Sequence, residues 1–290
     1  MNSLAFSLIL LSSIMHALWN LFVKQSCQKT VFIWWMFFTS VALLTVLLPI
    51  LPGKFPRPDL PVMLLAAGGA SCFVLYHLLS GRAYRAGDLS LTYPLSQTAM
   101  AYVPLWGVWF LGERLNFPGV CGIVLVMVGA YLGQMQRLSP GELLRPFRSL
   151  GNPSVRAALA AGCIYSVGAI IDKSGVTRYS PLYFTYLLVV FMLFLMTLNL
   201  MRPRYRSKIV TEWRQSRPLI LASGPVVMAS FLSFRYGLSL APMSYAVPVR
   251  QVSVLIGVFI GVVFLGESCG RIRFLAALLI LAGVSLIRLG

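Results

Sequence analysis

Apolar residues in this chain do not alternate with polar ones, and they do not recur as the single stripe of a surface helix. They run on for about 20 residues at a time, at 4–23, 31–51, 61–81, 89–111, 116–135, 157–173, 180–201, 218–237, 243–265 and 272–289. A helix of that length crosses the roughly 30 Å hydrocarbon core of a bilayer. In lipid each backbone polar group needs a partner within the fold, so only helices or closed barrels span it, and runs without alternation exclude the barrel. The pattern predicts an all-α polytopic membrane protein with ten transmembrane helices. Its short joints, such as Gly53-Lys-Phe-Pro-Arg-Pro-Asp59, combine helix-stopping Gly and Pro with charge. Trp34, Trp35 and Trp213 fall near span ends, where interfacial anchors sit. The longest polar joints, 136–156 and 202–217, are too short for a core of their own.

One stretch occurs twice. Residues 88–113 return at 242–267, so that Ser90, Pro94, Gln97, Gly107, Phe110, Leu111, Gly112 and Glu113 align with Ser244, Pro248, Gln251, Gly261, Phe264, Leu265, Gly266 and Glu267 at a constant offset of 154. Gly129 matches Gly283 at the same offset, and the first span aligns with the sixth at 149, pairing Lys24 with Lys173. The chain therefore divides into a repeat at 1–136, a linker at 137–156 and a second repeat at 157–290. Five spans per repeat force the second to enter the membrane upside down. Two inverted five-helix repeats are the plan of secondary transporters, with the substrate site between the halves.

Composition narrows the class. The 290 residues are 58% hydrophobic and 11% charged, against about 25% charged in a soluble domain. The net charge of +17 lies mostly in the joints, where it meets anionic lipid rather than nucleic acid. Joints after odd-numbered spans hold most of it, so the positive-inside rule alone puts them in the cytoplasm and both termini outside. Cys27, Cys72, Cys121, Cys163 and Cys269 are scattered without metal-ligand spacing, and neither a disulfide framework, a metal nor a cofactor is expected. Met1-Asn2-Ser3 lacks the positive charge of a signal peptide.

A few residues could carry chemistry. Arg250 stands between Pro248 and Gln251 just inside the ninth span, where the first repeat has Ser96. An intramembrane charge costs roughly 2.5–3.5 kcal/mol on insertion scales, so it faces a cavity or a partner, or snorkels to the interface. A guanidinium suits a carboxylate or phosphonate, whose two oxygens match its fork of donors. Gln97 and Gln251 are related by the repeat and could orient a polar substrate or bond between helices. His16, Trp19 and Asn20 share one face of the first helix, and His16 could carry a proton. His77 in the third span reads as a structural histidine or as part of the site. Tyr93, Tyr102 and Tyr165 could wall a cavity or simply pack. Gly129-x3-Gly133 and Gly257-x3-Gly261 read as close helix contacts, within the chain or in a homodimer. Glu113, Glu267, Lys24, Asp172 and Lys173 read as span ends. With no Asp or Glu at mid-span, a multidrug cation carrier is disfavoured and the cavity is expected neutral to positive.

The paired Leu-Gly-Glu endings (111–113 and 265–267), the Pro opening each of those spans, the five-plus-five layout and the first-span ending His16-Ala-Leu-Trp-Asn20 together resemble the drug/metabolite transporter superfamily, in its ten-span EamA-like branch. The resemblance covers essentially the whole chain. It implies an inner-membrane carrier of small metabolites, often amino acids and their relatives moving outward, with a central cavity between the repeats. It also implies cytoplasmic termini, opposite to the charge bias. A lipid-translocating or partner-dependent subunit is the alternative. A membrane-embedded lipid enzyme would need an acidic pair or histidine cluster that the chain lacks.

Overall fold

The computed structural model describes residues 1–51, 55–86, 95, 98–133, 135, 139, 141, 149–265 and 270–289. Among these the chain is helical throughout, with no strand. The elements are α1 (Ser3–Gln25), α2 (Lys29–Leu47), α3 (Leu60–Ala86), α4 (Ala99–Leu111), α5 (Phe117–Leu132), α6 (Pro153–Arg178), α7 (Pro181–Leu200), α8 (Pro203–Leu240), α9 (Met243–Arg250), α10 (Val252–Leu265) and α11 (Arg271–Leu289). Seven are long and apolar enough to cross a membrane; α4, α5 and the joined α9–α10 stretch are shorter apolar helices at the remaining expected positions. Starts are written locally. Asn2, Asn116 and Asn152 accept from the backbone N–H of Leu4, Gly119 and Ser154, and α5 to α8 each carry Pro in the first turn.

The packing exchanges helices between the halves. The heaviest contacts are α5 on α11, α3 on α6 and α1 on α8. The repeat maps α1 onto α6, α3 onto α8 and α5 onto α11, so it turns the α3–α6 contact into the α1–α8 contact and the α5–α11 contact into itself. A pseudo-twofold axis is what two inverted copies of one module produce. The α5–α11 crossing shows it residue by residue. Gly122 lies against the backbone of Gly283, and Gly129 against that of Ala276. The offset of 154 exchanges those two contacts. A Cβ at Gly122, Gly129 or Gly283 would run into a backbone carbonyl, so these glycines set how close the helices come. On α1 and α8, Ser12 and Ser230 donate reciprocally to each other's carbonyl oxygens at 2.8 and 3.1 Å.

The structure moves several expected boundaries. The polar joint 202–217 is not a loop but the beginning of α8. That helix has 38 residues, about 57 Å at 1.5 Å per residue. Its extension docks on α2, where Trp35 packs against Trp213 at 4.8 Å and donates to the Ile209 carbonyl. The buried Glu212 accepts from the Gln28 N–H at 2.6 Å, at the start of α2. The sixth span runs five residues past its expected end at 173, to Arg178. The ninth is broken at Gln251. Half of the linker expected at 137–156 lies outside the described residues, and its last four positions already belong to α6.

Overpacking the central crossing should be costly because the obstruction is backbone. Gly122→Leu and Gly283→Leu should each lose about 1–3 kcal/mol or more in thermal unfolding of the detergent-purified protein. Gly257, where an added Cβ would meet nothing within 4 Å, should accept Ala with neutral effect or a gain of up to about 1 kcal/mol.

Candidate functional site

The first Leu-Gly-Glu ending, at 111–113, is a clamp. Gly112 ends α4 in the left-handed conformation at φ 63°, which lets the Glu113 N–H return to the Gly107 carbonyl at 3.0 Å. The Glu113 carboxylate then accepts from the backbone N–H groups of Met243 (2.5 Å) and Ser244 (2.9 Å) and from the Ser244 hydroxyl (2.5 Å). An acidic side chain there satisfies orphan donors and the positive end of α9. Gly107 leaves room for this contact: a Cβ would strike Ser244 and Glu113. Tyr245 adds a second tie, donating to Asn116 Oδ1 and accepting from the Asn116 N–H, both at 3.1 Å. The joint after the fourth span thus fixes the start of α9, whose residues Met243–Val249 are all buried.

Seven residues on, α9 ends at Arg250. Pro248 has no N–H to donate. The Gln251 N–H turns back to the Pro248 carbonyl at 2.9 Å, a tightened turn, before α10 resumes. The Arg250 carbonyl freed by the break accepts from Ser13 on α1 at 3.2 Å. An interrupted helix at membrane depth is tolerated where its backbone groups find partners or line a cavity, and here both hold.

The cavity has a volume of about 690 Å3 and lies between the two repeats. Arg250 Nη2 donates to His16 Nδ1 at 3.1 Å. Arginine has no acceptor, so His16 is neutral here with its proton on Nε2. The guanidinium lies 4.3 Å over the Phe234 ring. His16 meets Trp19 edge-on at 4.8 Å, while Tyr165 packs against Tyr76 and Phe73. The repeat pairs His16 with Tyr165 at the offset of 149, and both line the cavity. Three buried polar atoms on the cavity residues have no partner: Arg250 Nε, Trp19 Nε1 and Ser80 Oγ. The first two are obligate donors, and such atoms buried without an acceptor cost about 1–3 kcal/mol each.

Of the residues expected at a site, His16, Trp19, Asn20, His77, Tyr165, Arg250 and Gln251 all line this cavity. Tyr102 does not. Gln97 and Tyr93 lie outside the described residues, as do Pro94 and Glu267. His16 accepts through Nδ1 from Arg250, and no hydrogen bond joins it to His77 among the described residues. Gly257 lines the cavity instead of making a helix contact.

Two residues were missed. Asp172, expected at a span end, lies inside α6 and is buried in the cavity wall. It accepts from Arg235 Nε at 2.8 Å, with both side chains at most 4% exposed. The expectation that Asp172 marks a span end is corrected. It failed because the sixth span was ended at 173, which turned an interior residue into a terminal one. Lys173 likewise lies within α6 and donates to the carbonyls of Leu238 and Ala241 at the end of α8. Arg235 itself caught no attention beside a predicted end at 237. Both ions belong to the second repeat alone; the offsets place Val23 and Gly81 at the equivalent positions. With Asp172 held by Arg235, five basic side chains face the cavity against one acid among the described residues.

These features define a multi-pass membrane protein with a cationic, aromatic-walled cavity between inverted repeats. The sequence profile of the EamA-like transporter family matches residues 3–133 and 153–289, one match per repeat, and the chain belongs to that family. An uncharacterised protein of Methanocaldococcus jannaschii is 29% identical over 124 residues, which are 42% of this chain and 90% of that protein. It is thus similar to a single half. A crystal structure of another protein superimposes with a TM-score of 0.77 at 17% identity, covering 99% of this chain and 95% of that one, a likeness of fold.

Removing one partner from the buried ion pair should strand a charge. Asp172→Asn or Arg235→Gln should cost about 3–5 kcal/mol in thermal unfolding, with Asp172→Leu/Arg235→Met together recovering most of it. The exposed pair Asp59–Arg178, 2.8 Å apart, is the control. Arg178 donating to Asp59 holds that carboxyl below its usual range. Yet it stands in water, so Asp59→Asn should leave the unfolding temperature unmoved.

Proposed function

We propose that the protein is a secondary transporter of the cell inner membrane that carries a small anionic or zwitterionic metabolite, an amino acid or a related compound, by alternating access through this cavity. The observation that carries the reading is Arg250. Its guanidinium sits in the cavity on a broken helix, over an aromatic ring, with Nε unpartnered. A carboxylate or phosphonate oxygen would supply the missing acceptor, and a fork of two such bonds fixes orientation. Trp19 Nε1 offers a further donor, while Gln251 and Asn20 supply groups for the rest of the cargo. The aromatic wall suits an apolar body between polar ends. Pseudo-symmetric halves can rock about a site on their axis, exposing it to either side in turn.

A cation carrier is the weaker reading. The single acid in the described wall, Asp172, already holds Arg235, so a cationic cargo would meet uncompensated positive charge. In thermal unfolding against carboxylates, amino acids, phosphonates, phosphate esters and lipophilic cations, an anionic or zwitterionic class should stabilise the protein. The gain should reach roughly 2.7 kcal/mol at 100 times the dissociation constant. Arg250→Ala should remove the effect while leaving expression intact. Stabilisation by cations alone, or by the same compounds in Arg250→Ala, would remove Arg250 from the site.

A further inference from the structure

His16 is bound to the cargo site in a way that couples the two. Its Nδ1 accepts from Arg250 at 3.1 Å, and that bond exists only while the imidazole is neutral. Protonating His16 in the empty cavity would remove the acceptor and leave two cations at hydrogen-bond distance. An anion on Arg250 reverses both terms. It takes over the guanidinium's donors, neutralises its charge and frees Nδ1 beside a negative oxygen, to which a protonated imidazole donates. We propose that His16 is the coupling site of a proton symporter, taking up one proton through Nδ1 as an anionic group binds Arg250 and releasing it when that group leaves.

The proposal rests on the reading of the cavity as a cargo site. The proton comes from, and returns to, the water on whichever side is open. Loaded with a monoanion and a proton, the carrier holds the same net charge as when empty, so loading adds no charge to move through the bilayer.

The other charged groups around His16 do not offer this exchange. Arg235 on α8 is held by Asp172 on α6. Lys29 on α2, Arg273 on α11 and Lys24, two turns further along α1, line the same cavity. His77 on α3 is the other imidazole, and no hydrogen bond ties it to Arg250. The repeat pairs His16 with Tyr165, a phenol that lines the same cavity. Reciprocity then requires that a proton on His16 raise anion affinity by the factor by which the anion raises proton affinity. With protons driven inward, the same linkage loads cargo inward, against the outward direction that the family resemblance implies.

The test uses the full-length protein in detergent with benzoate and L-phenylalanine, probes whose own charge is fixed between about pH 5.5 and 8. Calorimetric titrations in buffers of different ionisation enthalpy give affinity and protons taken up together. The expected result is tighter binding as pH falls, approaching tenfold per pH unit, with up to about one proton bound per probe. His16→Gln keeps an acceptor for Arg250 and cannot protonate, so it should bind with the pH dependence abolished. Binding by the wild type with no pH dependence and no proton uptake overturns the proposal and leaves the cargo reading standing. A dependence that survives His16→Gln and vanishes in His77→Gln also overturns it. Failure of the wild type to bind either probe at any pH strikes the cargo reading on which the proposal depends. If His16→Gln does not fold, His77→Gln decides: proton uptake retained there supports His16, and uptake lost there overturns the proposal.

Discussion

A single carboxylate holds the site in place. Glu113 accepts from two backbone N–H groups and a hydroxyl at the start of α9, and with Tyr245 on Asn116 it determines where that helix begins. From there the fold has little freedom. Seven residues, about 10 Å of helix, lead to Arg250 at the point where Pro248 interrupts the span. In the low dielectric of a bilayer a charge-assisted bond to orphan N–H groups is worth more than in water. Without that anchor an eight-residue helix ending in an arginine has no fixed register against α1. The two contacts that give Arg250 its character, His16 and the Ser13 hydroxyl on its carbonyl, both come from α1.

The repeats supply the frame and their differences supply the chemistry. Gly122, Gly129, Ala276 and Gly283 make a self-matching crossing, and the serine pair on α1 and α8 adds a reciprocal polar tie between the halves. The repeat pairs Arg250 with Ser96, Arg235 with Gly81, Asp172 with Val23, and His16 with Tyr165 in sequence. A strictly symmetric cavity would hold either no charge or two. Divergence between the copies puts the Arg250 guanidinium in the cavity beside the neutral His16, while Arg235 is neutralised by an aspartate. The positive cavity follows from that arrangement together with Lys24, Lys29 and Arg273, which line it near helix ends.

The architecture was legible because the bilayer imposes length and continuity on each apolar run, and because the repeated stretch kept one offset. Arg250 was legible for a related reason, as a charge within an apolar run beside Pro. Asp172 and Arg235 were not. Each stands two residues or fewer from a boundary drawn on hydropathy, and a buried ion pair contributed by two helices leaves no mark in either run alone. The α8 extension was misread because its many basic residues resemble a joint. Its apolar face on α2, with Trp35 on Trp213, is visible only once the partner is known. Glu113 was read correctly as a joint residue, but the distance it reaches, 130 residues along the chain to Met243, is a tertiary fact.

Under the proposed alternating access, the cavity between the repeats is reached from both sides of the membrane in turn. Gly257 offers the most direct test, because it lines the cavity with open space around it. In a background lacking the five native cysteines, Gly257→Cys should react with a membrane-impermeant maleimide in right-side-out and in inside-out vesicles. A bound anion should slow both reactions. Modification from one side only, at a rate no anion changes, would describe a fixed vestibule and contradict the account.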